Sequence, residues 1–90
     1  MERYLDVSRL EPPEPLESIL SSITTLGPGQ FLRVYHSREP FPLYSLLEQQ
    51  GFDWRSCSDE QDMYHVFIWH VGDDVAMNRV ERALSGCNKT

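Results

Sequence analysis

The chain has 90 residues, enough for one domain with a thin core, and carries 14 acidic against 8 basic side chains, a formal net charge of -6. Binding to nucleic acid or to an anionic membrane depends on clustered lysine and arginine, so this composition argues against both. No run approaches the ~20 consecutive apolar residues of a membrane span. The first residues also lack the basic and apolar segments of a signal peptide, which favours a cytoplasmic protein.

The first predicted elements form a strand–helix–strand unit. Residues 4–7 alternate apolar and polar side chains, which predicts a short strand. After a turn, Pro15 suits the first position of a helix, because its missing N–H has no helical partner there. An apolar stripe at helical spacing continues to Leu26, and Gly27 ends the helix. Residues 30–36 then predict a second strand.

The second half of the chain predicts a short helix, a hairpin and a final helix. Pro42 begins the short helix, which ends at Gly51. Residues 52–55 and 63–70 are predicted strands joined by a short polar turn, so they form an antiparallel hairpin. Asp73 or Asp74 is expected to cap the last helix, which Gly86 would end.

This order, β-α-β-α-β-β-α, predicts an α+β fold. We expect a two-layer α/β sandwich with a β-α-β-α-β-β core, a mixed four-stranded sheet and an added C-terminal helix. It would form a single domain over residues 1–90, with a core at about 4–70 and a helical extension at about 73–85. A parallel crossover brings the turns 11–14 and 37–41 to one edge of the sheet, where open α/β sheets bind ligands.

The turn before the first helix resembles that of a known family. Residues 5–15 read Leu-Asp-Val-Ser-Arg-Leu-Glu-Pro-Pro-Glu-Pro. They resemble the opening of the TusA-like (SirA-like) sulfur carriers, which have Leu-Asp, Gly-Leu and then Cys-Pro-x-Pro. Pro28-Gly29-Gln30 is similar to the family's Pro-Gly-Glu turn. The resemblance covers about residues 4–70 and implies the same sandwich. More similar still is a set of uncharacterised bacterial domains with this fold, which carry Pro-Pro-Glu-Pro (here 12–15) and His-x-x-x-Pro-x-Pro-Leu (here 36–43).

One position departs from the sulfur carriers. Pro12 stands where that family has its persulfide-carrying cysteine. Proline has no nucleophile, so sulfur transfer through this turn is chemically excluded. Cys57 and Cys87 form no Cys-x-x-Cys pair, and we expect both to be reduced thiols of a cytoplasmic protein, too far from the turn to replace the missing group. The alternative is a disulfide or a metal role for these cysteines. In sulfur carriers the same edge docks onto partner proteins, so the resemblance implies a docking role.

Four side chains near this edge are candidates for contact with a ligand or a partner: Glu14, His36, Arg38 and Glu39. His36 is also the candidate metal or haem ligand, with Glu39 or Glu14 orienting its ring. The alternative is a structural histidine bonded to a loop carbonyl or to one of those carboxylates. Arg38 and two helix starts suit a small anion. Here the alternative is a solvated rim of Arg–Glu pairs, each worth under ~1 kcal/mol.

The sheet face away from the first two helices collects aromatic side chains, among them Tyr35, Phe67 and Trp69. A patch of this kind predicts contact. Either a homodimer forms through this face or the final helix covers it, and the sequence does not separate the two arrangements.

The sequence therefore favours a non-catalytic binding or regulatory module that uses its proline-rich edge. Its partner would be a protein or a small ligand, and no cofactor is assigned. The alternative is an accessory protein of metal or haem redox chemistry in which His36 is the ligand. Sulfur transfer ranks last, because of Pro12.

Overall fold

The computed structural model describes residues 2–11 and 14–87 and confirms the predicted element order and the α+β class. The predictions made for Pro12 and Pro13, and for the last three residues, lie outside the described residues. The elements, in chain order, are β1 (Glu2–Asp6), α1 (Glu14–Ile23), β2 (Phe31–His36), α2 (Phe41–Gln49), β3 (Phe52–Ser58), β4 (Tyr64–His70) and α3 (Asp74–Cys87).

The four strands form one mixed sheet in the order β1-β2-β4-β3. β1 and β2 are parallel, whereas β4 pairs antiparallel with both β2 and β3. Because parallel neighbours cannot be joined by a tight turn, α1 carries the chain back across the sheet between β1 and β2. The predicted crossover and hairpin are both present.

The main core lies between one face of the sheet and the helices α1 and α2. Side chains alternate along each strand, so Leu32, Val34 and Ile68 face these helices. The helices contribute buried apolar residues that lie one helical turn apart. The buried residues of this cluster are Val7, Ile19, Ile23, Leu26, Leu32, Val34, Leu43, Leu47, Phe52, Val66 and Ile68.

The helix α3 covers the opposite face of the sheet. Phe67 and Trp69 are only 0% and 3% exposed, because Ala76 and Val80 of α3 pack onto them. Of the two arrangements left open for this face, the structure shows the intramolecular one. Phe67 and Trp69 are therefore enclosed rather than available to a second copy. Tyr35 is half-buried on the same face, with its ring 5.1 Å from that of His65.

A polar clamp ties the start of α3 to the turn before β2. Asp73 accepts the backbone N–H of Ala76 (3.0 Å), as a helix cap does, and its other oxygen accepts the N–H of Gly29 (2.8 Å). Arg79 donates to the carbonyl of Gly29 (2.7 Å). These N–H groups, that of Gly29 first, lower the pKa of Asp73. Gly29 has φ +76°, so it holds a conformation that suits glycine inside this clamp.

Several element boundaries differ from the prediction. The strand β1 spans Glu2–Asp6 instead of residues 4–7, and α3 continues past Gly86 to Cys87. The helix α1 ends at Ile23 instead of Leu26, because the hydroxyls of Thr24 and Thr25 donate to carbonyls of the last turn at 2.7 and 2.9 Å. The strand β3 is longer than predicted and runs to Ser58, since its polar end pairs with β4 in full register.

The expectation of reduced thiols is wrong for Cys57, which is disulfide-bonded. The sequence holds one other cysteine, Cys87. Disulfides persist mainly in oxidising compartments. The prediction of a cytoplasmic protein therefore loses the support that it drew from free thiols. Among the described residues, no helix combines the length and apolar character needed to cross a membrane.

Candidate functional site

A pocket of about 510 Å³ lies at the sheet edge where the β1–α1 and β2–α2 connections meet. We call it the edge pocket. Its described lining comes from two segments of the chain: Leu10, Glu11, Pro15, Leu16 and Ile19 on one side, and residues 36–40, Pro42 and Leu43 on the other. Both segments follow the carboxyl ends of the parallel strands, and the crossover through α1 places these ends side by side.

The walls of the edge pocket are largely apolar. Ile19 and Leu43 line it although neither is exposed to solvent, so they form its floor. Leu16 is half-buried on the α1 side, and Leu10, which is 38% exposed, lies at the mouth. The apolar face of α1, which packs into the main core, therefore also lines one side of the pocket.

His36 is the most enclosed polar side chain of the edge pocket. It ends β2 on the helix-facing side and is 8% exposed. Its Nδ1 accepts the backbone N–H of Arg38 at 3.2 Å, so the ring carries its proton on Nε2. Burial, and then the charge of Arg38, lowers the pKa of His36, which keeps the ring neutral at pH 7. Within the described residues Nε2 has no hydrogen-bond partner, so this N–H is available to a ligand.

The carboxylate of Glu39 is bonded to Tyr44 and Ser56 and not to His36. Its Oε2 accepts the Tyr44 hydroxyl at 3.0 Å and the Ser56 hydroxyl at 2.9 Å. Burial, followed by the Glu39 carboxylate, raises the pKa of Tyr44 far above its usual range. Glu39 therefore fastens the β2–α2 turn to α2 and β3. The ring of His36 is oriented by a backbone amide instead of the carboxylates that the sequence suggested.

Three of the four predicted site residues line the edge pocket: His36, Arg38 and Glu39. Glu14 does not line it; it is exposed at the start of α1, and Glu11 lies in the pocket wall in its place. Arg38 is exposed and forms no ion pair with a carboxylate in the described part of the chain. The expected rim of Arg–Glu pairs is therefore not seen at this residue.

The other histidines lie away from the edge pocket. His65 bonds to Asp59 through Nε2 (3.1 Å) and accepts from Arg33 at Nδ1 (3.3 Å), while Nε2 of His70 bonds to the carbonyl of Leu26 (3.1 Å). They lie on opposite faces of β4, because they are an odd number of residues apart on one strand. Over residues 2–11 and 14–87, no group of three or more His, Cys, Asp or Glu side chains is placed to hold a metal ion.

An aromatic row beside the edge pocket was missed from the sequence. The rings of Tyr44 and Trp54 stack with centroids 5.1 Å apart and planes 4° apart, and the edge of Phe41 meets Tyr44 at 6.1 Å. Phe41 is 68% exposed. The i, i+3 spacing of Phe41 and Tyr44 on α2 was the available signal, but the partner from β3 is brought close only by the sheet.

The comparisons with known proteins give one match. A family model described as "Uncharacterized conserved protein (DUF2249)" matches residues 4–70. No curated protein and no solved structure matches the chain. The matched segment runs from within β1 to the end of β4 and includes both sides of the edge pocket, whereas α3 lies beyond it.

Proposed function

Because the chain belongs to the DUF2249 family of uncharacterized conserved proteins, its function must be argued from its site, and we propose that it is a non-catalytic binding module. The edge pocket takes the apolar part of a small ligand. The observation that carries this proposal is an apolar cavity with a buried floor, lined by His36, whose Nε2–H has no partner among the described residues.

The size and lining of the edge pocket support a small-molecule site. Pockets that bind small molecules typically measure ~300–1,000 Å³ and combine apolar walls with a few placed polar groups. The edge pocket, at about 510 Å³, has this composition. A neutral histidine in such a wall orients a ligand by donating one hydrogen bond.

The geometry at His36 supports binding over catalysis. A general base needs a free acceptor nitrogen within reach of the group it deprotonates. The acceptor Nδ1 of His36 is taken by the Arg38 amide, and the neighbouring Ser37 hydroxyl makes no bond to the ring in the described residues. Pro12 excludes a persulfide at the turn. We also propose that the fold is TusA-like; its support is the element order and the resemblance of residues 5–15.

A matched pair of variants on α1 tests the proposal. Leu16 and Leu20 are both half-buried and both pack against the main core, but only Leu16 lines the edge pocket. Titration with 1-octanol, followed by NMR shifts, should perturb the amides around the pocket. Leu16→Gln should weaken binding at least about tenfold, because a buried apolar side chain contributes ~1.5–3 kcal/mol. Leu20→Gln should bind as the parent does. Equal effects of the two variants, or no shifts at the pocket, would refute the proposal.

A second function has one observation in its favour, the unpartnered Nε2 of His36 in an apolar pocket. To ligate haem or a metal, this nitrogen would have to pass its proton to Nδ1, which breaks the bond from the Arg38 amide, and the remaining ligands would have to come from elsewhere. Protein purified without a polyhistidine tag would then show a Soret band or bound metal that His36→Ala abolishes. A spectrum without that band, together with octanol binding, decides for the apolar ligand.

A further inference from the structure

We propose that the ligand of the edge pocket is a small carboxylic acid with an apolar tail, whose carboxylate binds at His36 and Arg38 and whose tail lies between α1 and α2. This inference rests on the proposed function and adds the chemistry of the headgroup. Its basis is two donors, both without partners among the residues that the structure describes, at the same end of an apolar cavity.

The first donor is the Nε2–H of His36. The residue is 8% exposed, and this nitrogen has no partner within the described residues, while its Nδ1 is fixed by the Arg38 amide. No buried side-chain nitrogen or oxygen among the described residues lacks a partner, so this N–H is reached by solvent at the pocket. A ligand that displaces this solvent must bring an acceptor, because an unpaired buried donor costs about 1–3 kcal/mol. An aliphatic tail alone would leave that donor unpaired.

The second donor is the guanidinium of Arg38. It lines the edge pocket and is near enough to His36 to disfavour a proton on the ring. It makes no ion pair in the described part of the chain, since the adjacent Glu39 is committed to Tyr44 and Ser56. An unpaired guanidinium can bind a carboxylate with two parallel hydrogen bonds.

The start of α2 supports an anion at this end of the pocket. Its cap residue, Pro40, offers no capping side chain, and its first turn carries no acidic residue. The N–H groups of Phe41 and Leu43 already bond to the carbonyls of Glu39 and Pro40. The helix therefore contributes the positive end of its dipole, while the hydrogen bonds to the headgroup come from side chains.

The charged side chains that line the edge pocket favour a ligand with one negative charge over one with two. One guanidinium and one neutral imidazole supply a single positive charge. Two carboxylates also line the pocket: Glu39, which is bonded to Tyr44 and Ser56, and, on the opposite side, Glu11. A dianionic phosphate would keep an uncompensated charge close to that carboxylate, which is unfavourable. The remaining lining on the α1 side is apolar and accommodates a hydrocarbon tail.

Three probes of equal tail length test the headgroup: octanoate, 1-octanol and octylammonium, titrated at pH 7.5 by calorimetry or NMR. Octanoate should bind about tenfold more tightly than octanol, and octylammonium most weakly. Arg38→Gln should remove most of the octanoate advantage and leave octanol binding unchanged. The control is Arg55→Gln, because Arg55 is also exposed but lies on β3, outside the pocket lining. His36→Gln, which keeps an N–H donor, should retain more octanoate binding than His36→Leu.

The outcomes separate this inference from the proposed function. If octanol binds as tightly as octanoate, or if Arg38→Gln weakens both probes equally, the carboxylate inference is overturned while the apolar binding module stands. If none of the probes binds at the pocket, both the carboxylate inference and the proposed binding function are refuted. Because Arg38 is exposed, its variant is expected to fold, and a parent-like spectrum confirms that a lost affinity reflects binding.

Discussion

Two leucines on α2, Leu43 and Leu47, provide the sharpest stability test of the edge pocket. Both are fully buried in the main core and lie one helical turn apart. Only Leu43 lines the edge pocket. Truncation to alanine removes the same atoms from both positions, so any difference in the loss of stability comes from the surroundings of the void.

The expected losses follow from two terms. Removing about three carbons costs ~2.4 kcal/mol of transfer free energy at either position. At Leu47 the closed core leaves a void, and a void of roughly 50–80 Å³ adds about 1–2 kcal/mol. At Leu43 the space merges with the edge pocket, so water can enter and side chains can shift into it. We therefore expect Leu47→Ala to lose about 4 kcal/mol and Leu43→Ala about 2.5 kcal/mol.

Urea unfolding at 25 °C measures both losses as free energies of unfolding. Trp54 and Trp69 report the transition by fluorescence, and far-UV circular dichroism should give the same midpoint if unfolding is two-state. An unchanged slope against urea confirms that the compared states are alike. A loss for Leu43→Ala equal to or larger than that for Leu47→Ala would refute the assignment of Leu43 to the pocket floor.

Three further predictions concern the disulfide, the buried histidine and the clamped glycine. Cys57→Ser should lower the free energy of unfolding by ~2–4 kcal/mol and abolish the effect of dithiothreitol seen in the parent; a parent stability indifferent to reductant would contradict this. The pKa of His36 is lowered, so the unfolded chain binds the proton more readily, and stability should fall as the pH drops below about 7. His36→Gln should flatten this slope between pH 7.5 and 5.5, and an unchanged slope would argue against a buried neutral ring. Gly29→Ala should destabilise more than Gly51→Ala in thermal melts, because both have positive φ but only at Gly29 would the added Cβ meet the Arg79 guanidinium, at 3.3 Å. Equal losses of thermal stability in the two variants would mean that Arg79 can move away from the added Cβ at little cost.

The element order and the facing of side chains were predictable because both are local properties. Prolines and glycines mark the helix ends, and alternation along β2 and β4 assigns Val34 and Phe67 to opposite faces wherever the strands lie. The parallel crossover follows from joining two strands through a helix. These rules were also enough to bring the two proline-rich turns to one edge of the sheet, where the edge pocket is found.

Which side chains line the edge pocket, and what they bond to, depends on contacts between residues that are distant in sequence. Glu39 was assigned to His36 because they are close along the chain, but Tyr44 and Ser56 bind its carboxylate once β3 joins the sheet beside α2. Glu14 is just as close to the turn, yet it begins α1 facing solvent while Glu11 lines the pocket. The direction of one side chain at a turn depends on which donors the folded chain places nearby.

The sequence by itself determined the elements, their order and the apolar face of each, since periodicity and helix-ending residues act over a few positions. Only the tertiary structure decided that α3 covers the second sheet face, because the Asp73–Gly29 contact spans two turns that are far apart along the chain. It also decided that Cys57 is disulfide-bonded and that His36 keeps one donor unpaired. Pairing of thiols and satisfaction of donors are properties of three-dimensional distances, which a single sequence does not contain.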